Sequence, residues 1–190
     1  PDQILIMSTG IIGRQLPIKK IIESIVNSDL NIYTNIKQAA TSIMTTDKYP
    51  KYLTKTYRIG QKKITFRGIC KGAGMIEPNM ATMLSFIETD VNLSKSLANK
   101  YLKYCANLSF NSISVDGDMS TNDMVCFFST RKISNKVKTI KDKTLDKFKK
   151  DLQSLAIELA KKIIYDGIKF ASGLEKYMYI ALKKAKIRFK

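Results

Sequence analysis

Residues 71–90 read KGAGMIEPNMATMLSFIETD, a glycine-containing turn that leads into an apolar, strand-like run. Thr82 stands directly after Ala81, where this run begins. The hydroxyl of such a threonine can attack the preceding carbonyl, and water can then open the resulting ester. The threonine becomes a new N-terminus, whose α-amine has an ordinary pKa of about 7.7–8.0 and can act as the base for its own hydroxyl.

Histidine is absent from all 190 residues of the chain. This absence excludes Ser-His-Asp and Cys-His relays and histidine-ligated zinc sites. A nucleophile must therefore use another base, and the Ala81–Thr82 pair offers one. Taken alone, such a pair is more often an ordinary threonine at the start of a half-buried strand, because short motifs are weak signals.

Three segments, far apart in the chain, carry longer motifs: STGIIGRQLP at 8–17, KGAGMIEPNMATML at 71–84 and SVDGDMSTND at 114–123. In this order they resemble the STGVIGRQLP turn, the KGSGMI and PNMATML processing signature and the SVDGDTSTND loop of the ornithine acetyltransferases. These proteins are also called glutamate N-acetyltransferases, the bifunctional proteins of arginine biosynthesis. The resemblance covers most of residues 1–167 and implies an α+β fold, a layered α/β/β/α sandwich.

The resemblance implies that Thr82 cuts the chain after Ala81 and then carries acetyl from N-acetylornithine to glutamate in a ping-pong cycle. It implies that Thr9 and Gly10 form the oxyanion hole, in which one donor is typically worth about 10²–10³-fold in rate. It implies no metal and no cofactor, and leaves acetyl-coenzyme A open as a co-substrate. Without the resemblance, Thr9 and Gly10 are more typical of a plain strand-to-helix turn.

The resemblance also implies that Lys71 binds substrate, and an anionic carboxylate would suit an ammonium beside Gly72 and Gly74. Taken alone, a lysine beside glycines is usually solvated. At Lys48 the sequence departs from the family, which has a substrate-contacting threonine at that position. The glutamate-containing segment that follows Gly167 in the family is missing as well. We therefore expect a truncated chain, incomplete at both ends.

The implied cut divides one domain into an α-chain part, residues 1–81, and a β-chain part, residues 82–190. The implied partners are these two fragments, further cleaved copies in a hetero-oligomer, and the small molecules N-acetylornithine and glutamate. No apolar stretch reaches membrane-spanning length, and no secretory leader is recognisable. We expect no membrane partner and a cytoplasmic location, with the mitochondrial matrix and the plastid stroma as alternatives.

The net charge of +17 is the main argument for a different class of function. Residues 131–190 hold 18 Lys or Arg against 6 Asp or Glu. Basic surfaces bind nucleic acid through its phosphates, so the alternative is a truncated, non-catalytic basic interaction protein on the same scaffold. The lysines lack interleaved aromatic residues for base stacking, however, which makes nucleic acid an unexpected partner.

Side chains that could hold a metal do not form a recognised pattern. Asp116 and Asp118 alternate as in a calcium-binding EF-hand, but Thr121 replaces the required glycine and Phe127 the required glutamate. We therefore predict no metal site. The three cysteines follow neither disulfide nor metal spacing and are predicted to be buried, reduced thiols: Cys70, Cys105 and Cys126.

Hydrophobic periodicity gives a coarse map of the elements. Helices are predicted at 18–26, 36–43, 97–108 and 145–165, with Gly167 just beyond the last. Strands are predicted at 57–59, 63–70, 82–89 and 124–129. Residues 131–143 lack a period and are predicted to form a surface loop.

Overall fold

The computed structural model describes residues 5–8, 10, 13–29, 35–59, 61–73, 83–112, 122–133 and 142–167. In chain order its elements are α1 (Ile18–Val26), α2 (Ile36–Ser42), β1 (Lys51–Ile59), β2 (Lys62–Lys71), β3 (Leu84–Val91), α3 (Lys95–Asn107), a short 3-10 turn (Phe110–Ser112), β4 (Met124–Ile133) and α4 (Asp142–Gly167). Among these elements, no helix has the length and apolar character that crossing a membrane requires. The mixture of helices and strands confirms the predicted α+β class.

The four strands form a single sheet in the order β1-β2-β3-β4. β2 pairs antiparallel with β1 and with β3, whereas β4 pairs parallel with β3 after a crossover through α3. Because of these directions, one edge of the sheet gathers the start of β1, the end of β2 and the starts of β3 and β4. We call it the strand-end edge; its first or last strand residues are Lys51, Lys71, Leu84 and Met124.

The core lies between the sheet and α4. Alternate residues of β2 face this helix, and the ring of Phe66 lies 5.1 Å from that of Phe148, both side chains being buried. Gly68 allows the helix to approach closely, since a Cβ at this position would lie 2.5 Å from the Leu159 side chain. Apolar burial of this kind is the main favourable term in folding. The other buried core residues of α4 are Leu152, Leu155, Ala156, Ala160 and Ile163.

The opposite face of the sheet is partly open. Arg67 and Glu88 form an exposed ion pair there at 2.9 Å, and the rings of Phe86 and Phe128 stack with centroids 6.3 Å apart. α2 lies over part of this face and leaves a groove between itself and the strands. The described residues contain one sheet, so the second sheet of the implied sandwich stays a prediction.

Several element boundaries differ from those predicted. β1 begins at Lys51 rather than residue 57, and both of its lysines have acidic partners: Lys51 pairs with Asp47, and Lys55 with Glu158 of α4. β4 continues to Ile133, so Arg131–Ile133 is strand and its prediction as surface loop is wrong; Arg131 has φ of 57° within a bulge opposite β3. α4 begins at Asp142 and includes Gly167 as its last residue. α1 forms where predicted, but none of its residues is buried.

Candidate functional site

The residues predicted to carry the chemistry are only partly described. Thr82, Ala81 and Thr9 lie outside the described residues, and so do residues 114–121 of the third motif. Gly10 is described and exposed. The site can nevertheless be described from Met83 onward. Met83 directly follows Thr82 in sequence and lies at the strand-end edge, just before β3.

Lys71, the last residue of β2, is fully buried at this edge. Its ammonium Nζ donates a hydrogen bond to the hydroxyl of Thr45 at 3.3 Å. Burial lowers the pKa of Lys71 below the usual lysine value, although the carboxylates of Asp47 and Asp123 oppose the shift. The solvated alternative for this lysine is therefore wrong, and the structure buries Lys71 at the end of β2.

Asp47 is the centre of the hydrogen-bond network around Lys71. One carboxylate oxygen, Oδ1, accepts hydrogen bonds from the Lys51 ammonium at 2.5 Å and from the Gly72 amide at 2.7 Å. The other oxygen, Oδ2, accepts one from the Thr45 amide at 3.1 Å. The side chains of Asp47 and Lys51 are both 0% exposed. Burial alone would raise the pKa of Asp47, but the hydrogen bonds from Lys51, Gly72 and Thr45 outweigh it and hold the pKa below its ordinary value.

Gly72 connects this network to the chain beside Thr82. Its φ of +136° is a conformation that side-chain-bearing residues rarely adopt, and a Cβ here would lie 3.4 Å from the Cα of Met83. Glycine therefore permits the turn at the end of β2, while the contact of such a Cβ with Met83 would be an ordinary van der Waals one. The amide that Asp47 binds belongs to this same residue.

Met83 is held from the other side by the residue that ends the third motif. Its amide donates to Asp123 Oδ1 at 2.9 Å, and its carbonyl accepts from the Met124 amide at 3.1 Å. Residues from the second and third motifs thus meet at the strand-end edge.

Lys48 lies directly after buried Asp47 but is itself exposed. The backbone bends at Lys48, between α2 and β1. Its predicted role as a substrate-contacting position remains a prediction. Within the described part of the chain, no group of three or more Cys, Asp or Glu side chains is placed to hold a metal ion.

The three cysteines are buried and free, as predicted. Burial raises the pKa of Cys70 to about 12 and that of Cys105 to about 12. Burial also raises the pKa of Cys126. Because the thiolate is the reactive form, these thiols are unsuited to act as nucleophiles near neutral pH.

Asp47 and Lys51 are the residues that sequence reasoning missed. Their four-residue spacing would have suggested a helical ion pair, whereas the structure places Asp47 before the strand that Lys51 begins. The signal appears only once the strand register is known: Lys51 pairs with the buried Cys70 across β1 and β2. A buried lysine requires an acidic partner nearby.

Comparisons with known proteins agree with the motifs. The family model described as the ArgJ family matches residues 1–188. The chain is 44% identical over 186 residues to the mitochondrial arginine biosynthesis bifunctional protein ArgJ of Dictyostelium discoideum, covering 97% of this chain and 41% of that protein. It is 41% identical over 168 residues to the arginine biosynthesis bifunctional protein ArgJ 1 of Clostridium acetobutylicum, covering 88% of this chain and 41% of that protein.

A solved protein from Pyrococcus horikoshii overlaps with a TM-score of 0.47 at 16% identity, covering 90% of this chain and 57% of that one. This likeness is too weak to carry an argument. The chain spans less than half the length of the two curated relatives. The motifs, the family match and the identity to these relatives establish that the chain belongs to the ArgJ family.

Proposed function

We propose that the protein is a glutamate N-acetyltransferase of the ornithine acetyltransferase type, which moves acetyl from N-acetylornithine to glutamate on Thr82. The observation that carries the proposal is the match to the ArgJ family along residues 1–188. Its relatives from Dictyostelium discoideum and Clostridium acetobutylicum are named as arginine biosynthesis proteins. Both substrates are carboxylates, and a buried ammonium such as that of Lys71 favours an anionic partner.

The first step of the proposal is self-cleavage. The Thr82 hydroxyl attacks the Ala81 carbonyl and the peptide nitrogen leaves, which converts the peptide bond into an ester and frees the α-amine. Water then hydrolyses the ester, so Ala81 ends in a carboxylate and Thr82 regains its hydroxyl. Support comes from the two hydrogen bonds that fix the backbone of Met83 next to this bond.

Acetyl transfer then uses the same hydroxyl twice. The Thr82 α-amine takes the hydroxyl proton, the oxygen attacks the acetyl carbonyl of N-acetylornithine, and ornithine leaves with the proton. The amine of glutamate next attacks the acetyl-threonine ester and releases N-acetylglutamate. We assign Thr9 and Gly10 to the oxyanion that forms in both halves, and Lys71 to the substrate carboxylate.

The remaining parts of the proposal concern the binding partners and the cellular location of the protein. The two fragments, residues 1–81 and 82–190, stay together and assemble with further cleaved copies into a hetero-oligomer. Acetyl-coenzyme A is a candidate second donor, and no other cofactor is required. The Dictyostelium relative is named as mitochondrial, so a eukaryotic source would favour the mitochondrial matrix and a bacterial source the cytoplasm. The basic interaction protein is not favoured, because the family match accounts for nearly the whole chain.

The test uses the longest open reading frame that contains these residues, because the relatives are more than twice as long. Intact-mass spectrometry should find a cut after Ala81, which divides the present 190 residues into 81 and 109. Incubation with N-acetylornithine should add the mass of one acetyl group to the fragment that begins with Thr82. Thr82→Ala should remain uncut and unlabelled. A wild-type protein that stays intact and unlabelled like this variant would refute the proposal.

A further inference from the structure

We propose that Asp47 is a positioning residue of the site. By holding the amides of Thr45 and Gly72, its carboxylate sets where the Lys71 ammonium lies. It also sets where Gly72 meets Met83, the residue just before β3. This inference rests on the proposed function, because it takes Lys71 as the residue that binds the substrate carboxylate.

The geometry of Asp47 favours positioning over a merely electrostatic role. Its two oxygens bind three groups from three separate places in the chain: the Thr45 amide before it, the Lys51 ammonium at the start of β1, and the Gly72 amide at the end of β2. A carboxylate that accepts backbone amides fixes the positions of those amides, whereas an ion pair alone fixes only the partner's charge. Asp47 is thus a three-way junction at the strand-end edge.

One branch of this junction leads to Lys71. Asp47 holds the backbone amide of Thr45 at 3.1 Å, and the hydroxyl of the same threonine accepts from Lys71 Nζ at 3.3 Å. A change in the Thr45 backbone would therefore move the acceptor to which the ammonium donates. Lys71 itself is fully buried, so the position of an acceptor beside its ammonium affects where that ammonium lies.

The other branch leads to the segment beside Thr82. The Gly72 amide is 2.7 Å from Asp47 Oδ1, and the Gly72 Cα faces Met83 closely enough that a Cβ would come within 3.4 Å of the Met83 backbone. Asp47 therefore holds the turn against which the start of β3 packs. One branch thus ends at Lys71, which the proposed reaction uses, and the other at Met83, which adjoins Thr82.

Lys51 has a supporting part in this arrangement. Its ammonium binds the same Oδ1 that accepts from Gly72, and its buried positive charge favours the ionised form of Asp47. The ionised form is the one with acceptor capacity for both amides, because a protonated carboxyl must use one oxygen as a donor. Lys51 thus maintains the junction without contacting Lys71 through any of these bonds.

Asp47→Asn tests the junction directly. An asparagine has a single acceptor oxygen, so it can bind the amide of Gly72 or of Thr45 and must turn its NH2 group towards the other. We expect KM for N-acetylornithine and for glutamate to rise about tenfold, the effect of losing a hydrogen bond on which a charged group depends. We expect kcat to fall by a smaller factor, since the loss affects carboxylate binding in ground state and transition state alike.

Thr45→Val is the second variant, because Asp47→Asn can unfold the protein by leaving Lys51 without its charge partner. Thr45→Val removes one acceptor of Lys71 but leaves the buried Asp47–Lys51 ion pair intact, and urea unfolding verifies that the variant is folded. We expect the same rise in both KM values. The matched control is Thr41→Val on α2, where the lost hydroxyl donates to the Lys37 carbonyl of its own helix and, among the described residues, contacts nothing in the site, so KM should not change.

A double-mutant cycle separates positioning from general structural damage. If Asp47 acts through Lys71, Asp47→Asn should raise KM little further once Lys71→Met has removed the ammonium, and the same should hold for Thr45→Val. Full additivity of either variant with Lys71→Met, or an unchanged KM in folded Asp47→Asn and Thr45→Val, would overturn the inference.

Failure of the proposed function has a different signature. In that case wild type transfers no acetyl, or Thr82→Ala and Lys71→Met transfer it as well as wild type. The junction is then tested without activity, by heteronuclear NMR of the Gly72 amide and the Lys71 ammonium. Thr45→Val should shift the ammonium signal, and Asp47→Asn both signals. Unchanged signals in folded variants would overturn the inference whatever the enzyme does.

Discussion

The face of the sheet that α4 covers buries phenylalanine and leucine, whereas the strand-end edge of the same sheet buries two lysines and an aspartate. On the face, stability comes from buried apolar area, to which many residues contribute. At the edge, each charge depends on a few hydrogen-bonding partners, such as Asp47 for Lys51. The face therefore tolerates shape-conserving exchanges, while the edge should respond to the loss of single hydrogen-bonding atoms.

The largest effect should come from the face. Phe148→Ala removes a buried ring that packs against Phe66 and Tyr101, and should lower the free energy of unfolding by about 4 kcal/mol. Phe128→Ala is the matched control, since this ring is 40% exposed on the open face. Urea unfolding measures both. Equal losses would show that the open face is as tightly packed as the α4 face and would remove the contrast.

The next effect belongs to the edge. Lys51→Met leaves Asp47 buried without its charge partner and should lower the free energy of unfolding by about 3 kcal/mol. The double variant Asp47→Asn, Lys51→Met removes both charges and should recover most of this loss. A double variant as unstable as the single one would mean that the hydrogen bonds to the backbone, rather than charge pairing, dominate the stability of the edge.

Gly72→Ala should have an intermediate effect. Alanine is strained at a φ of +136°, so we expect a loss of about 2 kcal/mol from backbone strain alone. The proposed cut should slow as well, because Met83 adjoins Thr82. Unfolding in urea and the rate at which the cut fragments form measure the two consequences. An alanine variant with wild-type stability and cutting would show that the turn relaxes without cost.

The smallest expected effect is a dependence of stability on pH. The pKa of Asp47 is lowered in the folded state because burial, which raises it, is outweighed by the hydrogen bonds from Lys51, Gly72 and Thr45. A lowered folded pKa gives stability that is present above the ordinary value, about 3.9, and is lost as pH falls towards the folded value. Urea midpoints between neutral and acidic pH should therefore fall more steeply for wild type than for Asp47→Asn, Lys51→Met. Urea midpoints that fall in parallel for the two proteins would contradict the lowered pKa of Asp47.

The packing of α4 on the sheet could be predicted from sequence because the apolar residues of this helix recur at a regular spacing. Phe148, Leu152, Leu155 and Leu159 recur at helical spacing, and α4 forms where this spacing predicts, with small differences at its ends. β1 was mostly missed because Lys51 and Lys55 occupy inward positions that alternation reserves for apolar residues. Their partners lie elsewhere in the chain, and no local sequence pattern predicts these pairings.

The edge could be predicted only in part. Lys71 was identified by family resemblance, but its burial depends on the loop that carries Thr45 and Asp47, which is brought to it by the β1–β2 register. Asp47 was missed for the same reason, since its three bonds join groups that are separated in sequence. Residues 81 and 82 remain assigned by resemblance and lie outside the described part of the chain.

The pairing of β2 with β3 bears on what would happen after a nick between residues 81 and 82. Phe66 to Lys71 are matched to Thr89 to Leu84 across that pair, and α4, from beyond the nick, packs on β1 and β2 from before it. The severed pieces would share one ladder and one interior, so they should elute together under native conditions and part only in denaturant. Breaking the chain there would release a new terminus while the scaffold around it stays assembled.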